Sequence, residues 1–161
     1  MEEEVVTNST VLIFLSKIQR LNLLNIYRVF TTPEIIKEVL EGKNNILEIE
    51  KKYIQDYIKE KIRVELSKKV ILDKGVGESS AISLCVEKKL RIFLSDDKQA
   101  RKAAELLSLK SKGCLGLIIE NLVQENITKN EAKEILNLLI SNYYYISTEI
   151  YMKVLELINN N

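Results

Sequence analysis

Histidine is absent from all 161 residues, and that absence removes whole classes of chemistry. Ser-His-Asp and Cys-His catalysis, histidine-ligated zinc and a histidine base working near neutral pH all need an imidazole. Carboxylates, lysine, tyrosine and hydroxyls remain, or a metal ion held by oxygen. Cysteine is scarce as well: Cys85 and Cys114 make no C-x-x-C pair, and two are too few for a disulfide framework or an all-cysteine zinc site. Both lie in apolar runs, Leu84-Cys85-Val86 and Cys114-Leu115-Gly116-Leu117, so each reads as a small buried hydrophobe. With one proline and five glycines there is no linker-like stretch to divide the chain. Residues 1–161 therefore read as a single domain, with 150–161 a terminal helix packed on it or extending from it. Neither sign of charge is in excess, and a net charge of +1 does not announce a nucleic-acid binder. No apolar run approaches the length of a membrane span, and the chain opens on Glu2-Glu3-Glu4 instead of a signal segment. The expectation is a soluble, cytoplasmic protein kept in a reducing environment.

What is present is an alternation of short β-branched runs and amphipathic stretches, the pattern of a parallel sheet covered by helices. Strands are expected at Glu4-Val5-Val6-Thr7, Tyr27-Arg28-Val29-Phe30, Arg91-Ile92-Phe93-Leu94-Ser95 and Leu109-Lys110-Ser111-Lys112. Ser9 or Thr10 caps a helix that buries Leu12, Ile13, Leu15, Ile18 and Leu21. Thr32-Pro33 pairs a capping hydroxyl with proline at the first helical position, and that helix stops near Gly42. Asn45 to about Leu66 reads as a long helix whose tail, Arg63-Val64-Glu65-Leu66, is alternatively a short strand. Lys74-Gly75-Val76-Gly77 is the sharpest glycine break and opens a helix from Glu78 to about Lys89. A basic helix follows Asp96-Asp97, an apolar one spans 115–123, and Thr128-x-x-Glu131 is a capping box. Tyr143-Tyr144-Tyr145-Ile146 reads as an edge strand or a packed turn, with core favoured over an interface anchor, and Ser147 starts the last helix. The fold class expected is three-layer α/β.

In such a sheet, ligands bind outside the carboxyl ends of the strands, where loops converge and helix N-termini point. Thr7-Asn8-Ser9 and Ser95-Asp96-Asp97 occupy those positions, Glu78 opens a helix after a glycine turn, and Glu38 is polar among Ile35, Ile36, Val39 and Leu40. Two adjacent aspartates leaving an apolar strand repel unless a cation or a helix dipole offsets them. A cap on the following helix accounts for one aspartate and leaves the other, so a cap and a metal role both stand. Glu78 alone reads as a first-turn carboxylate favoured by the dipole, and Glu38 alone as a solvated helix residue.

Four stretches in order carry a family resemblance: Val5-Val6-Thr7-Asn8-Ser9-Thr10-Val11-Leu12-Ile13, Thr32-Pro33-Glu34-Ile35-Ile36-Lys37-Glu38-Val39, Leu72-Asp73-Lys74-Gly75-Val76-Gly77-Glu78-Ser79-Ser80-Ala81-Ile82 and Leu94-Ser95-Asp96-Asp97-Lys98-Gln99-Ala100-Arg101. Together they resemble PIN domains, and most of all the short stand-alone archaeal and bacterial PIN proteins related to VapC-type toxins. Gly113-x-x-Gly116-Leu117 and Ile146-Ser147-x-x-Ile150-Tyr151 resemble later segments of that group. The resemblance implies a three-layer αβα fold with a central parallel sheet and a nuclease, mostly for RNA, that uses Mg2+ or Mn2+. It implies Glu38, Glu78, Asp96 and Asp97 as catalytic carboxylates and Asn8, Glu38, Glu78 and Asp97 as metal ligands or ligand-orienting groups. Ser95 would hydrogen-bond within the cluster. Hard oxygen ligands need no histidine, which suits the composition. Two positions depart from the family pattern: Asn8 stands where an aspartate is usual, and Ser80 where a second acid is common. Asparagine still offers a carbonyl oxygen, yet it removes one negative charge and accepts no proton. A homodimer and an antitoxin partner are also implied.

Between Val86 and Gly113 the cations outnumber the acids. A lysine-rich helix face solvated and braced by i,i+4 pairs explains that. The functional alternative is that Lys98, Arg101 and Lys102 flank an RNA backbone beside the metal, Arg101 through its planar fork. A non-catalytic PIN-like module that binds RNA or protein competes with the nuclease. A flavodoxin-like phospho-acceptor ranks lower, because Thr7-Asn8 stands where its acidic pair would be.

Overall fold

The computed structural model describes residues 2–68 and 76–161. Strand β1 (Glu3–Thr7) passes through Asn8 into helix α1 (Ser9–Lys17), then a 3-10 helix at Leu21–Ile26, strand β2 (Tyr27–Thr31) and helix α2 (Pro33–Glu41). Helix α3 (Glu48–Lys61) runs straight into strand β3 (Ile62–Val64). Helix α4 (Val76–Glu87), strand β4 (Ile92–Leu94), helix α5 (Lys98–Leu106), strand β5 (Lys110–Lys112) and helices α6 (Cys114–Val123), α7 (Lys129–Ser141) and α8 (Thr148–Asn160) follow. The five strands form one all-parallel sheet in the order β3-β2-β1-β4-β5, flanked by helices as a three-layer α/β fold.

The register sets Val6 beside Phe30 on one side and Phe93 on the other, and Thr7 beside Leu94. Val5, Val6, Phe30, Phe93 and Leu94 are all buried, whereas the edge strands expose Arg63 and Val64 of β3 and Lys110 of β5. Near-continuous apolar runs belong to strands covered on both faces, which is why β1 and β4 read so plainly from sequence. The chain steps outward from β1 to β2 and β3, then crosses back to β4 and β5. The carboxyl ends of β1 and β4 therefore border the crevice where strand order reverses.

Helix ends account for most departures from expectation. The first helix stops at Lys17 and does not run on to Leu21, because Gln19 adopts a left-handed φ of 55°. Its N–H donates to Ser16 O at 3.1 Å and that of Arg20 to Leu15 O at 2.8 Å, the paired bonds of a Schellman closure. The same two bonds recur around Lys89, Ser108, Glu125 and Tyr143, each at positive φ, and among the described residues no glycine has positive φ. Glycine scarcity thus leaves the left-handed position after five helices to residues that carry a Cβ. Such a residue is strained by about 1 kcal/mol relative to glycine. Exposed Lys89→Gly is expected to stabilise the fold by roughly 1 kcal/mol. A urea midpoint equal to or below that of the wild type would contradict this.

Helix α3 spans only Glu48–Lys61, and the tail takes the strand alternative at Ile62–Val64. No strand forms at Tyr143–Ile146; the segment is a turn in which Tyr144 is partly buried while Tyr143 and Tyr145 are exposed. The core reading is corrected for those two tyrosines: the left-handed backbone at Tyr143 ends the helix and leaves only Tyr144 packed, edge-on to Phe14. Lys74 and Gly75 of the glycine break lie outside the described residues, and helix α4 is described from Val76.

Both cysteines are buried and unpaired in a disulfide. Burial pushes the Cys85 thiol up to about 12. Burial, then the neighbouring Asp96 carboxylate, raises Cys114 as well. Because the thiolate is the reactive form, a disulfide reagent at neutral pH is expected to modify neither cysteine in the native protein and both after denaturation. Rapid modification of the native protein would contradict the packing.

Candidate functional site

Where β1 and β4 end, side chains stitch their two loops together. Asn8 is buried and caps α1; its Oδ1 accepts from Ser9 N at 2.9 Å, and its Nδ2 donates to Ser95 Oγ at 3.1 Å. The buried Ser95 hydroxyl also accepts from Asp97 N at 3.1 Å, and Thr10 Oγ1 accepts from Asp96 N at 2.9 Å. Both polar atoms of the Asn8 side chain are thus engaged by protein. These bonds hold the two loops across the sheet's crossover point.

Glu38 reaches this seam from α2. Its Oε1 accepts from Ser9 Oγ at 3.1 Å, while its Oε2 lies over Gly77, where an added Cβ would come within 2.3 Å of it. The carboxylate therefore rests on the first turn of α4, where the helix dipole favours negative charge. Glu78 sits in that same turn. Glu38 and Glu78 line one cleft of about 650 Å³ with Glu34, Glu41, Lys37, Gly42 and Gly77. Glu34 and Glu41 were not singled out from sequence, although they stand four residues before and three after Glu38, one turn to either side, which places them on one face.

Ser80 explains one of the two departures from the family pattern. It is buried, donates to Gly77 O at 2.7 Å and lies 2.7 Å from Thr32 Oγ1, the hydroxyl that caps α2 by accepting from Ile35 N. It is a strut between the starts of α2 and α4, in a space where a carboxylate would be desolvated.

The two aspartates diverge. Asp97 is exposed and caps α5, its Oδ1 accepting from Ala100 N at 2.7 Å. Asp96 turns to the start of α6, where its Oδ1 accepts from Cys114 N at 3.0 Å and from Tyr144 OH at 2.6 Å. Gly113 makes that approach possible, because a Cβ there would sit 2.2 Å from Asp96 Oδ1. Aimed at different helix N-termini, the adjacent carboxylates each meet a helix dipole that offsets their repulsion. Burial, then Asp96, raises the Tyr144 hydroxyl far above its ordinary value, so it stays a proton donor.

The basic segment also divides. Lys88 pairs with Glu65 at 3.0 Å, Arg91 with Glu3 at 3.8 Å, and Lys112 with Glu120 and the Tyr27 hydroxyl. Among the described residues no ion pair engages Lys98, Arg101 or Lys102. Lys98 and Lys102 are exposed, and Arg101 lines a second cavity with Tyr144 and Gly113.

Among the described residues, no group of three or more acidic or thiol side chains is arranged to hold a metal ion. That excludes an all-protein cage there, not a hydrated ion: Mg2+ is commonly held by one or two carboxylates, with water and substrate phosphates completing the shell. The hard oxygen pair of Glu38 and Glu78 in one cleft fits such an ion.

Among the described residues, no helix is long and apolar enough to cross a membrane. A family model described as a PIN domain matches residues 4–160. No curated protein matches the chain.

Proposed function

The chain belongs to the PIN-domain family, and from that premise we propose that it is a divalent-metal-dependent ribonuclease acting at the Glu38–Glu78 cleft. PIN domains are typically nuclease domains, generally use divalent metal ions and commonly bind RNA. The observation that carries the proposal is Glu38, fixed between Ser9 Oγ and the glycine-lined start of α4 beside Glu78. Bound there, a Mg2+ or Mn2+ ion would supply Lewis acidity toward a phosphodiester and its attacking water. Glu38 and Glu78 would hold it, and Ser9 would orient Glu38. Asp97, tied through Ser95 to Asn8, adds negative charge from the neighbouring strand end. Lys98, Arg101 and Lys102 would neutralise the RNA backbone. Asp96 serves as a positioning residue that clasps α6 and Tyr144 to the β4 loop.

The finer reading is a toxin of a toxin-antitoxin pair, dimeric in solution, cytoplasmic and covered by an antitoxin at the acidic cleft. It rests on the resemblance of the later segments at Gly113–Leu117 and Ile146–Tyr151. A second reading, an RNA- or protein-binding module with little or no cleavage, is favoured by Asn8, whose amide is occupied on both atoms.

Purified protein incubated with single-stranded and structured RNA separates the readings. Cleavage is expected with Mg2+ or Mn2+, is lost on chelation, and falls about a hundred-fold or more in Glu38→Gln and Glu78→Gln. RNA bound without cleavage would establish the module instead. Equal cleavage by wild type and both variants would overturn the site.

A further inference from the structure

Of the ten aromatic residues, only Tyr143 and Tyr145 are exposed, at 93% and 91%. Exposure of two large rings contributes nothing to the core, and Tyr143 in addition holds a left-handed φ of 65° at a helix end that glycine would fill without strain. Tyr144 between them is anchored: its hydroxyl donates to Asp96 at 2.6 Å and its ring meets Phe14 at 5.0 Å. The two exposed rings are therefore presented from a fixed turn. Through Asp96 that turn is joined to the loop that starts α5, where no ion pair with a described residue engages Lys98, Arg101 or Lys102.

Exposed rings carried on an anchored turn that is joined to such cations are the elements of a single-strand platform: bases stack on the rings and the backbone lies along the cations. We infer that Tyr143 and Tyr145 form a base-stacking surface for single-stranded RNA, with Lys98, Arg101 and Lys102 contacting its phosphates. The inference rests on the RNA reading above and deepens it, since it names which end of the molecule receives the strand. Cations that pair with no described acid favour RNA over a protein partner for these rings.

Binding of a fluorescent single-stranded RNA oligonucleotide, measured by anisotropy in chelator so that no cleavage intervenes, tests it. Tyr143→Gly and Tyr145→Ser are each expected to weaken binding roughly ten-fold. Tyr145→Phe should bind like the wild type, and the salt dependence should keep its slope in the tyrosine variants. Lys98→Ala with Lys102→Ala should flatten that slope. Tyr143→Gly should also raise the urea midpoint, which excludes misfolding as the cause of lost binding. Wild-type affinity in both tyrosine variants would overturn the platform while leaving the RNA reading intact. Such a result with loss of self-association would assign the rings to a protein interface. No binding by the wild type would overturn both.

Discussion

Gly77→Ala is expected to reduce metal-dependent RNA cleavage by about a hundred-fold while leaving thermal stability nearly unchanged. A Cβ at position 77 would lie 2.3 Å from Glu38 Oε2 and 3.3 Å from Ile35 Cδ1. The first distance cannot be tolerated, and the atom that must yield is the end of a flexible side chain. The carboxylate moves, and with it goes the shared alignment of Glu38 and Glu78 on the start of α4. Structural cost stays small because alanine is the better helix former by about 1 kcal/mol, which offsets the repacking. A misplacement on the order of 1 Å at a reacting site is worth about a hundred-fold in rate. Full activity in Gly77→Ala, or an unfolded variant, would show that Glu38 is not held as described.

At Asp96 the expected effect is on folding. Asp96→Ala should cost about 3 kcal/mol, because it strands two donors, the Cys114 N–H and the Tyr144 hydroxyl, that Oδ1 now satisfies. Asp96→Asn should retain most of that stability, since an amide oxygen accepts both bonds. It should also cleave RNA within a few-fold of the wild type, on the order of 1 kcal/mol in barrier, because the proposed chemistry lies with Glu38 and Glu78. Chemical unfolding of the two variants beside their cleavage rates checks both expectations. A stable but inactive Asp96→Asn would return Asp96 to the catalytic set. An Asp96→Ala variant as stable as the wild type would deny the clasp.

These two positions show why the fold was easier to see in the sequence than the site. Thr32-Pro33, Thr128-x-x-Glu131 and the apolar runs at Val5-Val6 and Ile92-Phe93-Leu94 each act through local geometry or continuous burial, and each lies where expected. The Asp96-Asp97 pair was visible as a pair, but its division of labour was not. Which helix each carboxylate faces depends on Gly113 and Tyr144, 17 and 48 residues from Asp96, and nothing near Asp96 encodes their arrival. Ser80 is similar: beside Glu78 it read as a missing acid, whereas its hydroxyl ties two helix starts that meet only in the folded chain. Gln19, Lys89 and Tyr143 end helices without the glycine that usually marks such ends, so the sequence alone overextends the first helix and overburies the tyrosine run. Glu34 and Glu41 carried a usable signal, a shared face with Glu38, that strand-end reasoning alone passed over.

The absent histidine leaves oxygen ligands to do the work, and the central claim is that Glu38 and Glu78 supply them. Anomalous scattering from a crystal soaked in Mn2+ tests that claim most directly. The account predicts an ion between the Glu38 and Glu78 carboxylates, lost in Glu38→Gln. No ion there at saturating Mn2+, or an ion only at Asp96 or on the molecule's far side, would contradict it.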